Sequence, residues 1–121
     1  MHPFRAAVEA RDIEAAIALL ADDVVFRSPA VFKPYRDKAA VGAILRAVIE
    51  VFVDFRYTRE IGAPDAADHA LMFEARVGDK QVEGCDFLHQ APDGTINELT
   101  VMIRPLKGVL ALAEAMQAKL A

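Results

Sequence analysis

The chain has 121 residues, a hydrophobic fraction of 55% and a formal net charge of −4. That length fits one domain, residues 1–121, and the acidic balance without a Lys and Arg cluster argues against nucleic acid as a partner. The single cysteine, Cys85, excludes an intramolecular disulfide and a zinc site built from several thiolates. The apolar richness predicts that some apolar surface encloses a cavity or is covered by a second copy of the chain.

The sequence gives no sign of a membrane, metal or cofactor partner. The amino terminus lacks the apolar run of a signal peptide, and no stretch approaches the roughly 20 apolar residues of a membrane span. We therefore expect a cytoplasmic protein. Glycine-rich phosphate loops are missing from the sequence, and the histidines lack metal-ligand spacing, so neither a cofactor nor a metal is expected.

Helices dominate the predicted first half of the chain. Residues 2–20 fit two helical segments, the second capped by Asp12 and burying apolar residues through Leu20. Residues 21–23 end them, residues 24–28 have strand composition, and Pro29 stops that strand before a loop over residues 30–36. Asp37 is expected to cap the next helix, whose apolar stripe keeps helical spacing at Val41, Ile44, Leu45, Val48, Ile49 and Phe52.

The second half of the chain alternates apolar and polar residues, as half-buried strands do. This pattern predicts strands over residues 53–61 and 69–77, followed by a hairpin through Asp93 and Gly94. A final helix is expected to bury a stripe of Leu106, Val109, Leu110, Ala113, Met116 and Leu120. The order of elements indicates an α+β fold in which a curved antiparallel sheet forms a cone closed by the N-terminal helices.

The hairpin carries the most informative residue of the chain, Asp86. A two-residue turn at Asp93 and Gly94 sets Pro92 opposite Thr95 and Asp86 opposite Val101. It also sets Leu88 opposite Leu99 and Gly84 opposite Ile103, which gives an inward face that is apolar except for Asp86. The other face then pairs Phe87 with Thr100, Cys85 with Met102, Glu83 with Arg104 and His89 with Glu98.

An acid on an apolar inward face needs a partner, a proton or a ligand. Burying an ionised carboxyl is costly, so one interpretation of Asp86 is an acid of raised pKa that donates a hydrogen bond to a ligand oxygen. The other interpretation is a buried ion pair, with Arg36 or Arg59 as the partner, or a carboxylate bonded to the backbone. A three-residue hairpin loop would turn Asp86 outward and remove the argument for a buried acid.

The chain resembles the nuclear transport factor 2-like superfamily. The resemblance rests on the element order, residues 11–15 and 20–24, the proline after the first strand, and the Asp-Gly hairpin. Within the superfamily the chain is most similar to the SnoaL-like polyketide cyclases and the ketosteroid isomerases. This similarity implies a single-domain cone that dimerises through its outer sheet face and holds an apolar ligand inside.

The resemblance also implies roles for three positions. The oxyanion aspartic acid of ketosteroid isomerases lies eight residues before the hairpin glycine, which is the place of Asp86 before Gly94. Their oxyanion tyrosine lies eight residues before the aspartate that opens the second helix, where this chain has Phe4 before Asp12. Their catalytic base precedes the first-strand proline, where this chain has Ser28. A serine hydroxyl cannot replace that base near neutral pH.

The leading hypothesis is a homodimeric domain that binds an apolar, carbonyl-bearing small molecule. If it is an enzyme, it is an isomerase or cyclase that works through an enolate, with Asp86 as the oxyanion-stabilising acid. Tyr57, on the apolar face of its strand, supplies a possible donor in place of the one missing at Phe4. The alternative is a non-catalytic binding or dimerisation module with a self-filled cavity. Expected ligand contacts are Phe4, Phe26, Ser28, Tyr57, Phe73, Leu88, Leu99, Val101 and Ile103.

Overall fold

A computed structural model describes residues 1–120. Its helices are α1 (Pro3–Glu9), α2 (Ile13–Ala18), α3 (Lys38–Val51) and α4 (Leu106–Leu120). Its strands are β1 (Leu20–Arg27), β2 (Tyr35–Arg36), β3 (Val53–Ile61), β4 (Asp68–Val77), β5 (Lys80–Gln90) and β6 (Ile96–Arg104). No helix among these residues is long and apolar enough to cross a membrane.

The strands form one six-stranded sheet in the order β2-β1-β6-β5-β4-β3. Strands β3 to β6 form the expected antiparallel meander. The sheet is mixed, however, because β1 lies parallel to β6, and the prediction of a wholly antiparallel sheet is wrong on this point. The α+β class is confirmed, with helices packed against one face of the sheet around a shared apolar core.

Capping residues set the helix starts as predicted. The side chain of Asp12 accepts a hydrogen bond from the amide of Ala15 at 3.1 Å, and that of Asp37 accepts one from the amide of Ala40 at 2.8 Å. Each bond satisfies an amide that the first helical turn leaves without a backbone partner.

The start of β1 differs from the prediction. Leu20 does not end α2; it begins β1 by pairing with Ile96, so residues 21–23 belong to the strand. An irregularity in the β1–β6 register between Leu20 and Val25 leaves Asp22 and Asp23 exposed within the strand. The predicted loop over residues 30–36 also contains the two-residue strand β2, which pairs with β1.

The β5–β6 hairpin keeps the predicted register but reaches it by a different turn. The amide of Ala91 donates to the Thr95 oxygen at 2.8 Å, and the amide of Gly94 donates to the Ala91 oxygen at 2.9 Å. The loop therefore has three residues, and the predicted pairing of Pro92 with Thr95 is wrong. The physical reason is that proline has no amide to donate to a strand partner and suits the second position of a turn.

A bulge on β6 compensates for the longer loop. Gln90 pairs with Ile96, whereas His89 pairs with Glu98, so Asn97 is an extra residue on β6. From His89 back to Glu83 the partners are those predicted, and Asp86 lies opposite Val101.

Helix α4 exists where expected, but only part of the predicted stripe faces inward: Val109, Ala113 and Met116 are half-buried. Leu106, Leu110 and Leu120 of that stripe are exposed, and the fully buried residues of the helix are Gly108 and Leu112. A Cβ on Gly108 would lie 2.4 Å from Val82 Cγ1, so the absence of a side chain there lets α4 approach β5 closely. This contact, rather than the leucine stripe, sets the rotation of the helix.

Candidate ligand-binding site

Two polar side chains meet on the inward face of the sheet. Asp86 on β5 is 8% exposed, Tyr57 on β3 is 7% exposed, and the Tyr57 hydroxyl donates a hydrogen bond to Asp86 Oδ2 at 2.8 Å. Asp86 forms no ion pair with Arg36 or Arg59, and both of these arginines are exposed. The ion-pair interpretation of Asp86 is therefore wrong, and the partner of its carboxyl is a neutral phenol.

Burial controls the protonation of this pair. Burial raises the pKa of Asp86 to about 7, although the hydrogen bond from Tyr57 acts in the opposite direction. Burial, followed by the nearby negative charge of Asp86, raises the pKa of Tyr57 far above its ordinary value. Tyr57 therefore remains a hydrogen-bond donor, while Asp86 can hold or release a proton near neutral pH.

Arg5 of α1 lies over the Tyr57 ring. Its guanidinium carbon is 5.9 Å from the ring centroid, within the range of a cation–π contact. Arg5 is itself held by Glu9 and by Glu60, the latter at 3.4 Å. The tyrosine ring is thus packed against a cation that two carboxylates hold in place.

Asp86 and Tyr57 face a cavity of about 460 Å³ between the sheet and the helices. Most of its wall is apolar, with only a few polar side chains, which is the composition typical of small-molecule pockets. Eight of the nine expected ligand contacts lie on the wall: Phe4, Phe26, Ser28, Tyr57, Phe73, Leu99, Val101 and Ile103. The ninth, Leu88, is not on the wall; it is 1% exposed and packs in the core beside Leu99.

The two positions that differ from ketosteroid isomerases also lie on this wall. Phe4 is buried and carries no donor. The Ser28 hydroxyl oxygen accepts hydrogen bonds from the amides of Ala30 and Val31, at 3.2 and 3.0 Å, and so closes the turn after β1. Ser28 thus has the structural role of a turn residue, and its hydroxyl proton remains available to the cavity.

Two helices contribute wall residues that the sequence analysis did not include. From α3 and its C-cap these are Ile44, Leu45, Val48, Ile49 and the capping residue Phe52, and from α4 they are Leu112, Ala113, Met116, Gln117 and Leu120. The apolar stripe of α3 was recognised as a packing face, but its spacing cannot tell a core from a cavity wall. For α4 the available signal was Gly108, since a glycine inside a helix often marks a close approach to another element.

His89 lies on the surface with a different partner from the one expected. His89 lies opposite Glu98 as predicted, but its Nδ1 is 2.6 Å from Asp68 Oδ1, and Glu98 instead pairs with Arg27 at 2.9 Å. The expected His89–Glu98 contact is therefore replaced by a surface pair with β4. Within residues 1–120 no group of three or more His, Cys, Asp or Glu side chains has the geometry of a metal site.

Comparison with known proteins identifies the family. A family model described as a SnoaL-like domain matches residues 2–99. A steroid delta-isomerase from Pseudomonas aeruginosa is 39% identical over 95% of this chain and 84% of its own, with a TM-score of 0.89. A protein from Silicibacter pomeroyi with a cystatin-like fold is 36% identical over 98% of this chain and 86% of its own, with a TM-score of 0.90.

More distant structures agree on the fold alone. A nuclear transport factor 2-like protein from Cytophaga hutchinsonii is 17% identical over 85% of each chain, with a TM-score of 0.63. No protein with a curated description matches this chain. The chain belongs to the SnoaL-like family and has the nuclear transport factor 2-like fold, which confirms the resemblance drawn from its sequence.

Proposed function

We propose that this member of the SnoaL-like family binds an apolar, carbonyl-bearing small molecule in the cavity, with Asp86 as its polar anchor. The observation that carries the proposal is a buried acid whose partner is a tyrosine rather than an arginine, on the wall of an apolar cavity. A protonated Asp86 can donate to a ligand oxygen, and the low polarity around it strengthens that bond. The 39% identity to a steroid delta-isomerase supports the same class of ligand.

The proposed chemistry is stabilisation of an enolate. When a proton leaves the carbon beside a carbonyl, negative charge builds on the oxygen, and a neutral carboxylic acid stabilises it by donating a hydrogen bond. Tyr57 contributes through Asp86, because its hydroxyl fixes the orientation of the carboxyl group. Isomerisation and aldol-type cyclisation are the reaction classes that such a site serves.

We further propose that the protein is a homodimer formed through the outer sheet face. Phe87 and Met102 on that face are 42% and 59% exposed, and exposed apolar side chains that form one patch are typical of an interaction surface. Phe87 lies opposite Thr100 and Met102 opposite Cys85, so the two apolar side chains sit on one surface away from the cavity. A second copy of the chain would cover both.

A non-catalytic binding module is the second candidate function. Phe4 and Ser28 occupy the positions of the oxyanion tyrosine and of the base that the resemblance implies, and neither can perform that chemistry. A module of this kind would still bind the ligand through Asp86. The two functions differ in whether the bound ligand exchanges its α-proton with solvent.

Binding of 2-naphthol, a phenol that mimics an enolate, tests the proposal. Isothermal titration calorimetry at pH 6 should show a 1:1 complex, and Asp86→Asn should weaken it by about 1–3 kcal/mol, the range for a hydrogen bond to a charged group. Asp23→Asn makes the same chemical change on an exposed residue and should leave binding unchanged. The proposal fails if wild-type protein does not bind 2-naphthol, or if Asp86→Asn binds it equally well.

The second experiment separates enzyme from module. Cyclohex-3-en-1-one is incubated with the protein in D₂O, and proton NMR follows its α-hydrogens and the conjugated product. Asp86-dependent exchange or isomerisation supports the enzyme. Binding without either reaction supports the module.

A further inference from the structure

Helix α4 presents one continuous face to the sheet and the cavity. Gly108, Leu112, Met116 and Leu120 follow one another at intervals of four residues, so each lies beside the next on a stripe that turns slowly around the helix and reaches the partly exposed rim at Leu120. Gly108 contacts Val82 of β5, and the three larger residues line the cavity. The face that anchors the helix therefore continues as a wall, about 12 Å long from Leu112 to Leu120 at 1.5 Å per residue.

The anchor point of α4 is displaced from Asp86 along the same strand. Val82 and Asp86 are four residues apart on β5, which corresponds to about 13 Å at 3.3 Å per residue. Between them Gly84 lies beneath Phe73, since a Cβ there would be 2.4 Å from Phe73 Cζ. A ligand whose polar group meets Asp86 therefore has α4 as the wall toward which its apolar body can extend.

The position of α4 is held at both ends. At its start Gly108 packs on β5, and Leu112 is 4% exposed in the core. Near its end Lys119 forms an ion pair with Glu50 of α3, the other helix that lines the cavity. Met116, between these two attachments, is partly buried against the core and faces the cavity.

We propose that α4 is the specificity element of the site and that Met116 sets how long an apolar body the cavity accepts. The inference rests on the proposed function, because it takes Asp86 as the anchor for the polar end of the ligand. The helix is thus suited to define the ligand class of the site, namely molecules with one polar head and an apolar body of limited length.

A series of 4-alkylphenols from 4-methylphenol to 4-nonylphenol measures that length. Affinity should rise about fourfold with each added methylene while the chain enters apolar space, because each buried methylene contributes a similar transfer free energy. The rise should stop at one homologue, where the alkyl chain reaches α4. Met116→Ala should move this stop to a longer homologue and Met116→Phe to a shorter one.

Leu110→Ala is the matched control, because Leu110 is on α4 but 59% exposed and away from the cavity. In Leu110→Ala the affinity should stop rising at the same alkylphenol as in the wild-type protein. The specificity role is overturned if 4-methylphenol binds in an Asp86-dependent manner but the stop is the same in the wild-type, Met116→Ala and Met116→Phe proteins. If no alkylphenol binds, or if Asp86→Asn binds 4-methylphenol as well as wild type does, it is the proposed function that fails.

Discussion

The free energy of unfolding should fall as the pH rises because of Asp86. Its pKa is raised by burial from 3.8 to about 7, so between these values the folded state holds a proton that the unfolded state has released. In that window each pH unit lowers the free energy of unfolding by roughly 1.4 kcal/mol. Over the roughly three pH units between these two values, the ionisation of Asp86 lowers the free energy of unfolding by on the order of 4 kcal/mol in total.

Asp86→Asn isolates this effect. The amide keeps the size of the side chain and an oxygen that accepts from Tyr57, but it cannot ionise. Wild type and variant should have similar stability near pH 4, and the variant should become the more stable by on the order of 4 kcal/mol above pH 7. Other titrating groups are common to both proteins, so their effects cancel in the difference.

Urea unfolding followed by circular dichroism at pH 4, 5, 6, 7 and 8 measures the two free energies. Asp23→Asn, on an exposed strand residue, controls for the loss of one carboxyl from the chain and should follow the wild-type curve. If the difference between wild type and Asp86→Asn does not change with pH, Asp86 is not a buried acid of raised pKa, and the electrostatic argument for the site is refuted.

Three further outcomes are expected. Tyr57→Phe removes the hydrogen bond that lowers the pKa of Asp86, so the carboxyl should titrate at higher pH in a carbon-13 NMR titration; an unchanged midpoint would contradict the pairing. Gly84→Ala places a Cβ 2.4 Å from Phe73 Cζ and should lower the free energy of unfolding by about 1–3 kcal/mol. An unchanged urea midpoint would contradict the close packing of Gly84 against Phe73. Phe87→Asp puts a charge on the outer sheet face and should halve the mass seen in sedimentation equilibrium, and a dimer of unchanged mass would exclude that face as the interface.

The inward direction of Asp86 was predicted from the periodicity of its strand together with the length of the hairpin turn, and the predicted turn length was wrong. Counting from a two-residue turn gave the correct partner, Val101, because two deviations cancel: the loop has one more residue than expected, and Asn97 bulges out of β6. A bulge depends on how a strand fits its neighbours, and it leaves little trace in a sequence. The α+β class was more secure, since it depends on many residues at once.

Helix α4 shows where periodicity was insufficient. Leu106 and Leu110 fitted an apolar stripe, yet they are exposed, because the contact of Gly108 with Val82 fixes the rotation of the helix. A pattern of apolar periodicity counts apolar side chains. It therefore overlooks a glycine, which allows a close approach because it has no side chain. The Tyr57–Asp86 hydrogen bond was also beyond the sequence, since β3 and β5 meet only through β4 between them.

The paired irregularities of the β5–β6 hairpin limit which single-residue deletions this segment tolerates. Asp86 itself is held by the pairing of β5 with β4, where it lies opposite Leu71, so a deletion in the Pro92–Gly94 loop or at Asn97 acts on β6 and not on the acid. A slip of β6 by one residue would turn Leu99, Val101 and Ile103 from the cavity to the outside. Loop grafts between relatives should therefore carry the loop and the bulge together, so that the β6 side of the cavity is kept.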